Sequence, residues 1–464
     1  MNRLVKIVPI VCLVLSGLFS ALSAQTPVVV VAPRLIRLNL DGHILAVPYF
    51  RNYSLDQIHD YIKRAVIVIH GSNRNARDYY ERILNPARRA GRADSTTLIL
   101  APQFLLEIDI EAFDLLDYTL FWSSSGWKKG DESQASFEHE RPAEISSFAI
   151  IDTILFRLVS LNPNLQNIVL AGHSAGGQFV NRYAAGNQTE AVLMSEFGIQ
   201  MTYLVANPSS YLYFSEKRRV GGRLDQFAVP SENTIQDCPN YHDYKYGLKF
   251  LNRYMKRVGA ERIRAQYPQR RMVYFLGADD NNPNSSSLDK SCAAMLQGKH
   301  RLERGRVYYH YLQEEFGGSI TEKHKQVILP GVGHSSEQVF ASDCGVYFLF
   351  DYGDCEKVTG VAETRVGVPP DRLILRQNYP NPFNAETRIE FHLLLKTPVK
   401  LNVFNLSGGL VKELISGDQI WPDGAHSVIW NGKDESGREV SCGMYFYQIK
   451  IDQALQTKRL ILLK

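Results

Sequence analysis

The sequence predicts a doubly wound α/β domain with a mostly parallel sheet, followed by a small all-β sandwich. Between residues 65 and 331 lie short apolar runs typical of strands buried on both faces: AVIVIH, TLILAP, NIVLAG, TYLVAN, MVYFLG and QVILPG. Helical patterns separate them, clearest in SSFAIIDTILFRLVSL, where apolar residues recur at helical spacing behind a serine cap. From residue 373 onward, alternating β-like runs are divided by Gly, Asn and Asp turns. Strands that alternate with helices indicate an α/β fold, whereas the later pattern is typical of a sandwich.

The chain begins with the pattern of an export signal. Arg3 and Lys6 precede an apolar run from Ile7 to Phe19, and small residues follow where a signal peptidase could cut. We therefore predict a signal peptide over residues 1–24. The apolar run is shorter than the roughly 20 residues that a membrane span needs, so we expect no transmembrane span in the mature protein. An uncleaved anchor is the alternative.

The α/β domain is predicted to cover residues 25–358. It opens with a β-hairpin over residues 34–47, because two alternating runs flank Asp41-Gly42, a dipeptide suited to a tight turn. Residues 209–271 are rich in tyrosine and basic residues, lack a clear strand and are longer than a simple connection. We interpret them as a partly helical insertion near the functional site.

A linker is predicted over residues 359–372. The apolar periodicity is lost there, and the segment ends in Pro369-Pro370. The β-sandwich then occupies residues 373–464.

The charge of the chain argues against a nucleic-acid partner. The 52 basic and 48 acidic residues are spread along the sequence and give a net charge of +4. Such a balance creates no extended field of one sign.

The cysteines predict disulfides rather than a metal site. Cys12 is lost with the signal peptide, and export to an oxidising compartment makes bridges between the others plausible. Three pairings of the four central cysteines are open; the short separation favours Cys344 with Cys355, and hence Cys238 with Cys292, and leaves Cys442 free. Their spacing is no zinc pattern.

A nucleophilic serine is predicted at Ser174. The segment Gly172-His173-Ser174-Ala175-Gly176 has the form G-x-S-x-G, directly after an apolar strand and before a helix-compatible run. This setting exposes a serine hydroxyl on a sharp turn, where glycines let the neighbouring backbone pass. A glycine-rich turn with a solvated serine is the alternative.

The base and the acid are sought on loops after later strands. His334 lies on the loop straight after the predicted strand QVILPG, and a histidine changes its protonation near neutral pH, so we predict it as the general base. Asp280, with Asp279 as the alternative, follows MVYFLG and would orient the imidazole. A solvated turn is the other interpretation of this acidic loop. The remaining downstream histidines are expected on helices or in the insertion: His242, His300, His310 and His324.

Donors for an oxyanion and residues for a substrate pocket are also predicted. Acyl transfer needs the N–H after the nucleophile and one from an earlier loop, which gives Ala175 and Ser72, with Asn73 as an alternative to Ser72. Four aromatic residues could line an acyl or aromatic pocket, although simple core packing is the alternative: Trp122, Trp127, Tyr211 and Tyr213.

The motifs HGSN, GHSAGG, GADD and GVGH follow one another in the order found in the α/β-hydrolase superfamily, which residues 34–352 resemble. The resemblance implies an eight-stranded sheet, neither a metal nor a cofactor, and an acyl-enzyme mechanism on an ester, amide or similar bond. Our leading expectation for the substrate is a small-molecule or polymeric ester. A serine peptidase and a polyester depolymerase share this chemistry and stay open. A non-catalytic surface-binding protein on the same fold is the alternative from another class.

The tail resembles the type A C-terminal sorting domain of type IX secretion. The matching segments are LRQNYPNPFNAETRIEFHL, VKLNVFNLSGGLV, WNGKDESG and KRLILLK. The resemblance implies an immunoglobulin-like sandwich that the secretion machinery recognises. It also implies that the protein is secreted, or held at the outer-membrane surface, of a Gram-negative bacterium like the Bacteroidetes. An accessory sandwich that binds glycan or protein is the alternative.

Overall fold

The strands of the α/β unit form one central sheet and one small hairpin in this computed structural model. In chain order they are β1 (Arg34–Leu40), β2 (His43–Arg51), β3 (Arg64–Ile69), β4 (Thr97–Pro102), β5 (Asn167–His173), β6 (Gln200–Ala206), β7 (Arg218–Arg219), β8 (Phe227–Ala228), β9 (Met272–Gly277), β10 (His324–Leu329) and β11 (Val358–Thr359). The sheet has nine strands in the order β1-β2-β4-β3-β5-β6-β9-β10-β11. The six central strands are parallel to one another: β4, β3, β5, β6, β9 and β10. At the edges, β1 pairs antiparallel with β2, β2 with β4, and β11 with β10. The resemblance implied eight strands; the short β11 is additional.

The structure describes residues 26–93, 96–355, 358–359, 373–393, 396–405, 409–451 and 454–463. The predicted signal peptide, and the predicted linker apart from Thr359, lie outside these residues. The chain divides into two compact units, one within residues 1–362 and one within residues 363–464. Among the helices in the described ranges, none has the length and apolar character to cross a membrane.

The central strands are mainly apolar because both faces of the sheet are covered. In β3, Ile67 and Ile69 belong to the apolar cluster on one face, whereas Val66 and Val68 belong to the cluster on the other. Successive side chains of a strand point to opposite faces, so a strand covered on both sides needs apolar residues at every position. The predicted fold class is confirmed.

Helices cover both faces. They are α1 (Ala76–Arg89), α2 (Glu107–Phe113), α3 (Ser147–Leu161), α4 (Ala175–Gly186), α5 (Thr189–Phe197), α6 (Glu232–Asp237), α7 (Arg253–Val258), α8 (Ala260–Gln266), α9 (Cys292–Met295), α10 (Arg301–Phe316), α11 (Ser336–Ala341) and α12 (Asp343–Phe350), with 3-10 turns at Trp127–Lys129, Tyr267–Gln269 and Gly318–Glu322. Helix α3 starts at a serine cap, where the Ser146 hydroxyl accepts a hydrogen bond from the Phe148 N–H at 3.1 Å.

Residues 209–271 connect β6 to β9 and contain the β7–β8 hairpin and helices α6 to α8. The Arg218 guanidinium lies 4.3 Å from the centre of the Tyr213 ring, and its Nη2 donates to the Tyr241 carbonyl at 2.8 Å. A disulfide joins Cys238 to Cys292 at the start of α9, and a second joins Cys344 to Cys355. Cys442 is free and exposed.

The second unit is a sandwich of two antiparallel sheets. Its strands are β12 (Leu373–Leu375), β13 (Thr387–Leu393), β14 (Thr397–Phe404), β15 (Leu410–Trp421), β16 (Gly424–Trp430), β17 (Gly443–Ile451) and β18 (Ala454–Leu462), arranged as β12-β13-β16 and β15-β14-β17-β18. The polar residues of NYPNPFN fix the loop before β13: Asn378 Nδ2 donates to Thr387 Oγ1 at 2.8 Å, and Asn381 Oδ1 accepts from the Ile461 N–H at 2.9 Å.

Candidate active site

Ser174 lies on a strained turn between β5 and α4. Its backbone has φ 58° and ψ −116°, a conformation that residues other than glycine rarely adopt. A Cβ atom on Gly172 would lie 2.3 Å from the Gly176 carbonyl oxygen, and one on Gly176 would lie 2.2 Å from the carbonyl oxygen of Ile69. The glycines of G-x-S-x-G are therefore required by close backbone packing, and the strain is held by the surrounding structure.

We expect Gly176→Ala to lower the free energy of unfolding by about 1–3 kcal/mol, because backbone of β3 must move to admit the methyl group. The matched control is Gly318→Ala, where an added Cβ meets nothing within 4 Å. Urea denaturation monitored by circular dichroism compares the two variants. Equal stabilities would contradict the packing explanation.

Three side chains meet at the carboxyl ends of β5, β9 and β10. The Ser174 Oγ lies 3.0 Å from His334 Nε2, and His334 Nδ1 lies 2.7 Å from Asp280 Oδ2. With its Nδ1 proton donated to the carboxylate, the imidazole presents a free Nε2 that accepts the serine proton. The structure thus brings the predicted serine, histidine and aspartate into one hydrogen-bonded chain.

The alternative acid lies outside this chain. Asp279 is exposed, and the backbone contact that it makes is a hydrogen bond from its N–H to the Val332 carbonyl at 2.9 Å. The other histidines serve elsewhere. His324 is buried beside Tyr274, and burial lowers its pKa to about 3. His300 caps α10 by accepting the Glu303 N–H at 3.3 Å.

A small polar cleft of 320 Å³ surrounds the serine and the histidine. Gly71, Ser72 and Asn73 form one wall. In the described part of the chain, the N–H groups of Ser72, Asn73 and Ala175 have no hydrogen-bond acceptor. Free donors beside a nucleophile can receive a negatively charged oxygen.

His70 fixes this wall, a role that the sequence analysis missed. Its Nε2 accepts the Phe104 N–H at 2.9 Å, and its Nδ1 donates to the Gly71 carbonyl at 2.8 Å. Burial lowers the pKa of His70 to about 4, so the ring is neutral and one tautomer makes both bonds. The ring thereby holds the loop that carries Ser72 and Asn73.

Three further residues around the triad were also missed. Asn207, at the end of β6, accepts the Gly277 N–H at 2.8 Å and lies 3.4 Å from His173 Nε2. Burial keeps the pKa of His173 well below its ordinary value, and this neutral ring packs 4.5 Å from that of His334. Arg301, 1% exposed, lies 3.5 Å from Asp280 Oδ1. Asn207 could have been predicted near the site, because it directly follows β6, the neighbour of the strand that leads to Ser174.

The four aromatic residues predicted for the pocket are core residues instead. Trp122, Trp127, Tyr211 and Tyr213 are each at most 1% exposed and belong to one apolar cluster. Tyr211, for example, stacks on Tyr308 with ring centres 4.3 Å apart. None of the four lines the cleft beside Ser174, although Trp127 borders a neighbouring cavity. Packing against other aromatic rings keeps Trp122, Tyr211 and Tyr213 away from the serine, whereas Trp127 also borders the cavity beside the cleft.

One group of possible metal ligands lies among the described residues. Ligand atoms of Glu107, Glu111 and His139 lie within 4.8 Å of one another on α2 and the following loop. None of the three lines the Ser174 cleft.

Comparison with known proteins gives one family match and several structural likenesses. Residues 377–463 match the secretion system C-terminal sorting domain. No curated protein matches the chain. Among solved structures, the poly(3-hydroxybutyrate) depolymerase LpqC from Bordetella parapertussis is 20% identical and has a TM-score of 0.43, with 69% of this chain and 91% of that chain covered.

Two other hydrolases are similar at this level. Poly(aspartic acid) hydrolase-1 from Sphingomonas sp. KT-1 is 23% identical with a TM-score of 0.43, and covers 68% of this chain and 99% of its own. The siderophore hydrolase EstA from Aspergillus nidulans is 13% identical with a TM-score of 0.34, and covers 68% and 93%.

The sharp turn that places Ser174 between a parallel strand and a helix is the one found in the α/β-hydrolase fold. Sorting domains of this kind mark proteins that the type IX system of Bacteroidetes secretes or attaches to the cell surface. The chain therefore joins a unit with the α/β-hydrolase fold to a secretion system C-terminal sorting domain, which marks exported proteins.

Proposed function

We propose that the chain is a secreted serine hydrolase that cleaves carboxylic esters through an acyl-enzyme. The observation that carries the proposal is the hydrogen-bonded chain from Ser174 through His334 to Asp280, at 3.0 and 2.7 Å, on a strained turn beside unoccupied N–H donors. A structural serine would need neither the strained turn nor a histidine that a buried carboxylate orients.

The geometry supports a two-step reaction. His334 Nε2 takes the Ser174 proton as Oγ attacks the ester carbonyl carbon, and the N–H groups of Ala175 and of Ser72 or Asn73 stabilise the oxyanion. The imidazolium returns its proton to the leaving alcohol, and the C–O bond breaks. Water, activated by the same histidine, then attacks the acyl-enzyme and releases the acid and the free serine.

We expect a fluorophosphonate to label the mature protein at Ser174 and p-nitrophenyl esters to be hydrolysed. Peptide mass locates the label, and heat-denatured protein is the control, since labelling requires the folded site. If Ser174 is labelled but peptides are cleaved faster than simple esters, the protein is a peptidase. If polyesters are cleaved faster, it is a depolymerase. Folded protein that stays unlabelled would contradict the triad and favour a binding function.

A further inference from the structure

A second and larger cavity adjoins the cleft of Ser174. It has a volume of 860 Å³, and residues 26–30, Trp127 and Lys128 line it. Ser72, Asn73 and Asn75 line both this cavity and the cleft. The loop that carries the candidate oxyanion donors is therefore a wall shared by the two spaces, and a substrate held at the serine could extend into the larger one.

Lys128 brings an unpaired positive charge to this cavity. It is half-buried, and in the described ranges neither a carboxylate nor a hydrogen-bond acceptor contacts its Nζ, which lies 5.8 Å from the centre of the Trp127 ring. By contrast, the adjacent Lys129 pairs with Asp131 at 2.8 Å. Partial burial without an acidic partner costs an ammonium group part of its hydration energy.

The charged groups around Lys128 do not neutralise it. Those that influence it are Arg74, Arg182, Lys245 and Asp289. The carboxylate of Asp289 already pairs with Lys245 at 3.0 Å. Arg74 is held by Asp109 at 2.7 Å. The surroundings of Lys128 are thus cationic.

The acidic residues that line the cavity are also engaged. Glu81 lies 3.1 Å from Arg77. Asp78 accepts from Asn75 Nδ2 at 2.7 Å and lies 4.0 Å from Arg82. Within the described residues, Lys128 is left as the cation of this cavity without an acidic partner.

Burial, followed by Lys245 and Arg182, lowers the pKa of Lys128 to about 8. The ammonium group is still charged at neutral pH. An arriving anion would regain part of the energy that desolvation costs this group.

We propose that Lys128 binds a carboxylate of the substrate, so that the preferred substrates are esters with a free carboxylate a few carbons from the scissile bond. The inference rests on the proposed function of Ser174 and specifies its substrate class. A single ammonium group carries one positive charge, which one carboxylate balances.

Kinetics with matched esters tests this subsite. The acyl-side pair is p-nitrophenyl hemiglutarate and p-nitrophenyl pentanoate; the alcohol-side pair is 4-acetoxybenzoate and phenyl acetate. We expect Lys128→Met to lower kcat/KM for the charged ester of at least one pair about tenfold, and to leave the neutral partner within twofold. Lys128→Arg should retain most of the preference, and Lys129→Met is the control that should keep all of it.

Salt and pH give independent readouts of the same charge. The ratio of kcat/KM for charged and neutral esters should fall between 50 and 500 mM NaCl. Because the lysine loses its proton as pH rises through about 8, the ratio should also fall across that range. Taking the ratio cancels ionisations that affect both substrates alike.

Binding separates this inference from the proposed function. In a Ser174→Ala background, monomethyl glutarate should bind about tenfold more weakly by calorimetry once Lys128 is Met. Unlabelled Ser174 without ester turnover would refute the hydrolase and the inference with it. The carboxylate subsite alone would be refuted if Lys128→Met lowered kcat/KM equally for the charged and the neutral ester of both pairs. It would also be refuted if the preference for the charged ester survived Lys128→Met.

Discussion

Ser174→Ala should lower kcat for p-nitrophenyl esters by about 10⁵–10⁶-fold, because the variant has no nucleophile and the histidine no proton to accept. The fold should be retained. Alanine has the same Cβ as serine, so the strain at φ 58° does not change, and the hydroxyl is 3.0 Å from a histidine rather than part of the core. We expect a melting temperature within a few degrees of that of the wild type.

The measurement is steady-state hydrolysis and fluorophosphonate labelling, both corrected for uncatalysed ester loss. Ser195→Ala is the matched control, since the hydroxyl of this exposed serine on α5 contacts its helix neighbours Val192 and Glu196, at 3.4 and 3.2 Å. Residual turnover above about one part in 10³, with protein shown to be folded, would mean that another group carries the reaction.

The fold was predictable because its signals are local. Each central strand is mainly apolar, and each of Ser174, Asp280 and His334 lies on the turn or loop that follows such a strand. The carboxyl ends of parallel strands meet at one edge, so residues that follow them can be expected to meet there. The order of the strands in the sheet was not predicted, since periodicity alone does not give it.

The supporting residues were not predictable from local patterns. His70 acts on Phe104, 34 residues away, and Asn207 acts on Gly277, 70 residues away. Such contacts exist only once the sheet has assembled. The aromatic residues failed for a different reason: a pocket wall and a core both need large apolar side chains, and Tyr211 carries no sequence feature that separates the two.

The assignment of the acid predicts a second large effect. Asp280→Asn should lower kcat about 10⁴-fold, because an amide cannot stabilise the imidazolium and favours the wrong tautomer of His334. It should also lower the free energy of unfolding by about 3 kcal/mol, since buried Arg301, 3.5 Å from Asp280, loses its carboxylate. Asp279→Asn, at the neighbouring exposed position, should leave both quantities within error.

Kinetics and urea denaturation of the two variants distinguish the outcomes. A large loss of kcat in Asp279→Asn with an active Asp280→Asn would reassign the acid. A loss of stability without a loss of kcat in Asp280→Asn would make that residue a partner of Arg301 alone. The combined loss is expected because one carboxylate contacts both groups: Oδ2 orients the imidazole at 2.7 Å, whereas Oδ1 faces the guanidinium at 3.5 Å. Removing the charge of Asp280 should therefore lower both the rate, through His334, and the stability, through Arg301.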